Sequence, residues 1–234
     1  MPLAKPILYF IFLAITVTAT AQSHQVVIAG GYTYSFLASN SFANVYPVNR
    51  APVSLNYSYL LRDRFMFGTG IGYDPRGFIF KSLVNNGSMI LEDTNRYDHK
   101  TNLNYLVLPI FVGYQSKKRL HIEFKAGVLG GLLVRAKTIK PLANKSGMYD
   151  RDTTINIKAD VNKTDLGYFA EAGLGYRMNS KFSALFSFRF MNGLSNVPKR
   201  KFYDYFEHIY YEGSENKNGY ISFLLELRYR FHCK

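Results

Sequence analysis

The 234-residue chain has no tryptophan, one cysteine, and 16 acidic residues against 29 lysines and arginines. The single cysteine, Cys233, leaves no internal disulfide to form and reads as an incidental terminal thiol. Long apolar runs are nearly absent: Ile7 to Val17 is the one clear run, shorter than the ~20 residues a transmembrane helix needs. It follows a short basic N-terminal segment carrying Lys5 and precedes Ala19-Thr20-Ala21, an A-x-A cleavage pattern. Residues 1–21 are therefore expected to be a removed signal peptide, cut between Ala21 and Gln22, with 22–234 as one mature domain. Without a cysteine at that junction, no lipid anchor is expected.

The shortage of acid leaves a formal net charge of +13. Nucleic acid is excluded as a partner by export and by the scatter of the cations, which form no continuous basic stripe. The five histidines, His24, His99, His121, His208 and His232, have no metal-type spacing with one another, with cysteine or with carboxylates, so no metal or other cofactor is expected. Gly68-Thr-Gly-Ile-Gly72 has neither the lysine of a phosphate loop nor a following helix, and reads as small residues on one strand face. Asp98, His99, Asp204 and His208 are the residue types of a lipid A-modifying site, but nothing fixes them near one another or near a serine nucleophile, so they read as solvated loop residues; no enzyme is expected, and a lipid A-modifying outer-membrane enzyme is the least favoured alternative.

What is abundant is aromatic: 19 tyrosines and 19 phenylalanines. Most of them fall in eight segments whose polarity alternates with period two, the pattern of a strand with two unlike faces. The segments are Val26–Phe36, Pro52–Leu61, Phe65–Asp74 with a continuation through Phe78 and Phe80, Tyr105–Tyr114, Leu120–Arg135, Asp165–Arg177, Phe182–Phe190 and Ile221–Phe231. Short turns at 62–64, 115–119 and 178–181 alternate with long connections at 37–51, 82–101, 136–163 and 194–218. Tight turns thus fall at one end. The fold class this predicts is all-β: an eight-stranded antiparallel up-and-down transmembrane β-barrel with short periplasmic turns and long extracellular loops.

Alternation does not say which face is inside. A soluble barrel would turn the apolar face inward. Three features predict the inverse. Aromatic residues group near strand ends, with Tyr59, Phe65, Tyr114, Tyr176, Phe182, Tyr229 and Phe231 at the short-turn end and Tyr34, Phe36, Tyr73, Tyr168, Phe188 and Phe190 at the loop end, as membrane-interface belts would. The polar face is rich in glycine, as a crowded lumen requires, and the segments match the ~9–11 residues that cross a membrane at a tilt.

With that face inside, Glu123, Lys125, Glu171, Arg189, Glu226 and Arg228 reach comparable heights on the last four strands. The layer reads either as an ion path or as a paired plug. The plug is preferred because eight strands enclose a space only just wide enough for side chains. Lys137, Lys140, Lys145, Arg151, Lys199, Arg200 and Lys201 in the loops would face an anionic outer leaflet and read either as a clamp on lipopolysaccharide phosphates or, at least equally, as simple solvated loop residues; outer-membrane lipids are the expected partners. The run Phe202-Tyr-Asp-Tyr-Phe206, with Tyr210 and Tyr211, reads either as a protein-contact loop or as barrel wall above the membrane.

Tyr105-Leu-Val-Leu-Pro-Ile-Phe-Val-Gly-Tyr114, followed by a charged turn and the glycine-bearing Phe124–Gly131, resembles the signature of the PorT-like outer-membrane β-barrel family, with Val107 where an acidic residue is common. The specific motif covers only the fourth and fifth strands. The resemblance implies an outer-membrane barrel and raises an accessory role in type IX-like secretion and gliding, with a secretion-system partner. The last strand is similar to the terminal strand read by the outer-membrane assembly machinery, with Tyr229 and Phe231 as its aromatics.

Overall fold

The computed structural model describes residues 23–39, 45–83, 96–143, 149–197, 201–204, 209–212 and 216–231. Its strands are β1 (Ser23–Ser39), β2 (Val45–Arg50), β3 (Val53–Leu61), β4 (Phe65–Leu83), β5 (Arg96–Gln115), β6 (Leu120–Ala143), β7 (Tyr149–Asn156), β8 (Thr164–Arg177), β9 (Phe182–Asn196), β10 (Lys201–Asp204), β11 (Ile209–Glu212) and β12 (Asn216–Phe231). Eight of them, β1, β3, β4, β5, β6, β8, β9 and β12, pair antiparallel with sequence neighbours, and β1 closes the ring on β12 from His24↔Phe231 to Ser39↔Asn216. Every long strand therefore has a partner on both sides. This is the arrangement that lets strands stand in hydrocarbon without open edges.

The faces are inverted relative to a soluble protein. Leu225, Leu120 and Ile28 are 65%, 58% and 57% exposed, whereas Glu123, Glu226 and Arg228 are each 1% exposed. Along β8 the alternation is nearly unbroken, with Leu166, Tyr168 and Leu174 outside and Asp165, Phe169 and Glu171 inside. The inside is not uniformly polar: Leu103, Tyr105, Phe111, Leu129, Leu133, Phe169 and Met191 pack as an apolar core.

The ladders run past the alternating segments. β4 and β5 stay paired to Leu83↔Arg96, β6 reaches Ala143 with β7 laid along its end, and β2 prolongs the wall between β1 and β4. The connections expected at 37–51, 82–101 and 136–163 are thus partly sheet. Their sequences hid this because a wall above the membrane has water outside and needs no apolar face; Lys100-Thr-Asn-Leu103 and Lys137-Thr-Ile-Lys140 are examples. β9 likewise continues to Asn196, which places Phe188 mid-strand rather than in a loop-end belt. The aromatic segment near residue 202 is not part of the wall either. β10 and β11 form a separate two-stranded sheet in which Phe202 stands opposite Tyr211 and Tyr203 opposite Tyr210.

The tightest turn follows β3. Arg62 and Asp63 have φ of 53° and 57°, the signs a type I′ hairpin turn demands, and Arg64 N–H donates to Leu61 C=O at 3.1 Å. Neither residue is glycine, so the left-handed backbone needs outside support. Asp63 supplies it: its carboxylate accepts from Ser23 Oγ at 2.9 Å and faces Arg230 at 3.4 Å, tying the turn to β1 and β12.

Candidate functional site: two charge layers across the lumen

The lower layer lies toward the short-turn end and contains Glu123, Lys125, Glu171, Arg189, Glu226 and Arg228. Register places Lys125 opposite Glu171 and Glu171 opposite Arg189, so three strands contribute consecutive opposite charges at one height. Lys125 Nζ lies 3.0 Å from Glu123, 2.7 Å from Glu171 and 3.0 Å from Glu226. Arg189 donates to Glu171 Oε2 through Nε at 2.7 Å and lies 2.6 Å from it through Nη2. Arg228 completes the set, forking onto both Glu123 and Glu226, with its Nη2–Glu123 Oε1 bond at 2.6 Å. Ser187 Oγ donates to Glu226 at 3.2 Å. Three carboxylates meet three cations, so the layer is electrically balanced.

Glu123, Glu171 and Glu226 each bring a carboxylate oxygen within 4.8 Å of the others, a spacing that could hold a metal ion. Here the cation among them is the protein's own Lys125 ammonium. The layer rests on aromatic rings: Lys125 lies 5.7 Å from the Phe111 centroid, Arg189 lies 5.0 Å from that of Phe169, and those two rings meet edge-on at 6.5 Å. Gly68 makes room for this packing, since a Cβ there would collide with the Phe111 ring.

A second layer lies toward the loop end. Fully buried Arg76 donates through Nε to Asp74 at 2.9 Å and through Nη1 to Asp165, with its guanidinium 4.8 Å over Tyr105 and 5.2 Å from Tyr220. Asn218 donates to Asp165 Oδ2 at 3.5 Å and to Tyr105 Oη at 3.3 Å. This cluster holds two carboxylates and one cation, and one oxygen of each carboxylate, Asp74 Oδ1 and Asp165 Oδ1, is buried without a hydrogen-bond partner. A pocket of about 20 Å³ is lined by Asp74 of the upper layer and Arg189 of the lower, together with Tyr220 and Ser222. Continuing the inward parity of Met66, Gly72 and Asp74 by one step would have found Arg76. Pro75 and Gly77 on either side obscured it.

Of the other sequence candidates, Tyr229 is 39% exposed on the outer wall, 5.2 Å from Phe182 and 6.1 Å from Phe231 between ring centroids. Phe231 stacks on His24 across the β1–β12 seam at 5.4 Å. His99 lies in β5, and Asp98 and Asp204 fall within β5 and β10. Ala19, Ala21, Gln22, Lys145, Lys199, Arg200 and His208 lie outside the described residues.

Residues 20–198 match the family described as "Outer membrane protein beta-barrel domain". The chain belongs to that family. It is a bacterial outer-membrane protein, and in such barrels the short turns face the periplasm. Similar solved structures include Ail of Yersinia pestis, at 14% identity over 89% of this chain and 99% of that one with a TM-score of 0.40. OprG of Pseudomonas aeruginosa is similar at 12% identity over 91% and 98%, with a TM-score of 0.47. Neisserial surface protein A is similar at 11% identity over 88% and 97%, with a TM-score of 0.43. No curated protein matches.

Proposed function

We propose that this protein is a non-catalytic, non-conducting barrel that serves as a scaffold, contacting other molecules through its extracellular loops. The observation that carries the reading is the lower layer. Six ionisable side chains from β6, β8, β9 and β12 occupy the lumen at one level, neutralise one another and rest on Phe111 and Phe169. A conducting lumen needs polar groups that face water, whereas these face each other. The test is electrical: the full chain in planar bilayers should give no resolvable single-channel steps in molar salt. Steady, ohmic channels would overturn the scaffold reading.

The stretch Tyr105–Tyr114, with its resemblance to the PorT-like family, supports a second reading as an accessory component of a type IX-like secretion machine. That reading requires deletion of the gene to stop cargo export. The loop cations suit lipopolysaccharide phosphates, and the Tyr229–Phe231 pair suits the assembly machinery.

A further inference from the structure

The three short turns, residues 62–64, 116–119 and 178–181, contain six lysines and arginines and one acid, Asp63. That acid is already engaged by Ser23 and Arg230 inside the rim. Each turn also ends the same way, with a cation directly before the first outward apolar residue of the rising strand. The pairs are Arg64 before Phe65, Arg119 before Leu120, and Lys181 before Phe182. Phe65, Leu120 and Phe182 are 50%, 58% and 41% exposed on the lipid-facing wall. Three turns of different sequence thus converge on one arrangement: an apolar anchor at the edge of the hydrocarbon with a cation one residue beyond it.

Arg64, Arg119 and Lys181 are all exposed, and Arg119 is held at the perimeter of the barrel. Arg119 lies 5.0 Å over the outward ring of Tyr176, which holds its guanidinium against the outer wall. In the second turn Arg177 donates to the Lys117 carbonyl at 2.6 Å and the Ser116 carbonyl at 3.1 Å, fixing the backbone that carries Lys117, Lys118 and Arg119. The third turn is held by Asn179, whose Oδ1 accepts from the N–H of Lys181 at 2.8 Å and of Phe182 at 2.7 Å. Exposed cations one residue beyond a lipid-facing apolar anchor suit lipid phosphates.

We propose that this periplasmic rim is a binding surface for anionic phospholipid headgroups of the inner leaflet, with Arg64, Arg119 and Lys181 as its three contact points. Headgroups are favoured over a periplasmic polymer or an acidic protein because each cation is paired with a lipid-facing apolar residue, so a ligand held there has an acyl chain on the adjacent wall. Each basic residue at an anionic surface favours binding about fivefold.

The test is native mass spectrometry of the full chain released from detergent containing equal phosphatidylglycerol and phosphatidylcholine. The wild type should retain phosphatidylglycerol at least fivefold over phosphatidylcholine, and the triple variant Arg64→Gln/Arg119→Gln/Lys181→Gln should fall below twofold. Arg64→Lys/Arg119→Lys, which keeps the charge, should retain the preference. Equal retention of the two lipids by the wild type would overturn the proposal. So would a preference untouched in the triple variant, which would assign the headgroups to the loops. Should the triple variant not fold, the wild type in 1 M ammonium acetate decides: screening over ~3 Å should erase the preference, and its persistence would count against the rim.

Discussion

The two charge layers inside the lumen use the same residue types to different ends. In the lower layer three acids meet three bases and almost every charged oxygen has a donor. In the upper layer two acids share one arginine, and one oxygen on each acid has no partner. An unpaired buried charge is far more costly than a paired one, so the two layers should respond oppositely to the loss of a carboxylate. The lesson is that counting charges in a lumen is less informative than balancing them. The lower layer is complete as it stands. The upper layer has one more carboxyl group than it has cations to pair with.

The largest expected effect lies at the single cation of the upper layer. Arg76→Met strands both Asp74 and Asp165 and should cost about 5 kcal/mol in urea unfolding from lipid vesicles, the top of the range for breaking a buried pair. A loss below about 1 kcal/mol would mean that the aromatic packing around Arg76, on Tyr105 and Tyr220, matters and the ion pairs do not. A smaller effect probes the lower layer through its apolar support. Gly68→Ala should push Phe111 from beneath Lys125 and cost about 2 kcal/mol, the usual scale for overpacking. If the variant unfolds like the wild type, Phe111 turns aside freely and the lower layer stands without it.

The same contrast governs what could be read from sequence. Where one face meets lipid and the other the lumen, alternation exposes the strand directly: β3 and β8 were legible almost to their last residues. Parity and a count from the short turns also put Glu123, Lys125, Glu171, Arg189, Glu226 and Arg228 at one height, because their strands are regular over that stretch. Parity could not say which acid meets which base, since Lys125 and Glu226 are 101 positions apart and face each other across the lumen. The upper layer was hidden for a different reason. Arg76 sits between Pro75 and Gly77, both poor strand residues, and Asn218 and Tyr220 precede the point where alternation becomes clean in β12. Above the membrane the wall no longer needs an apolar outside, so the signal that defines a strand disappears while the hydrogen-bonded ladder continues.

The imbalance between the layers is tested most directly by one pair of isosteric variants, Glu226→Gln and Asp165→Asn, compared by urea unfolding in the same vesicles. Removing a charge from the balanced layer should cost about 3–5 kcal/mol, because Lys125 and Arg228 lose a shared counter-charge. Removing one from the upper layer leaves a single acid for a single arginine and should leave stability within about 1 kcal/mol of wild type. Equal losses in the two variants, or a larger loss at Asp165, would contradict the account.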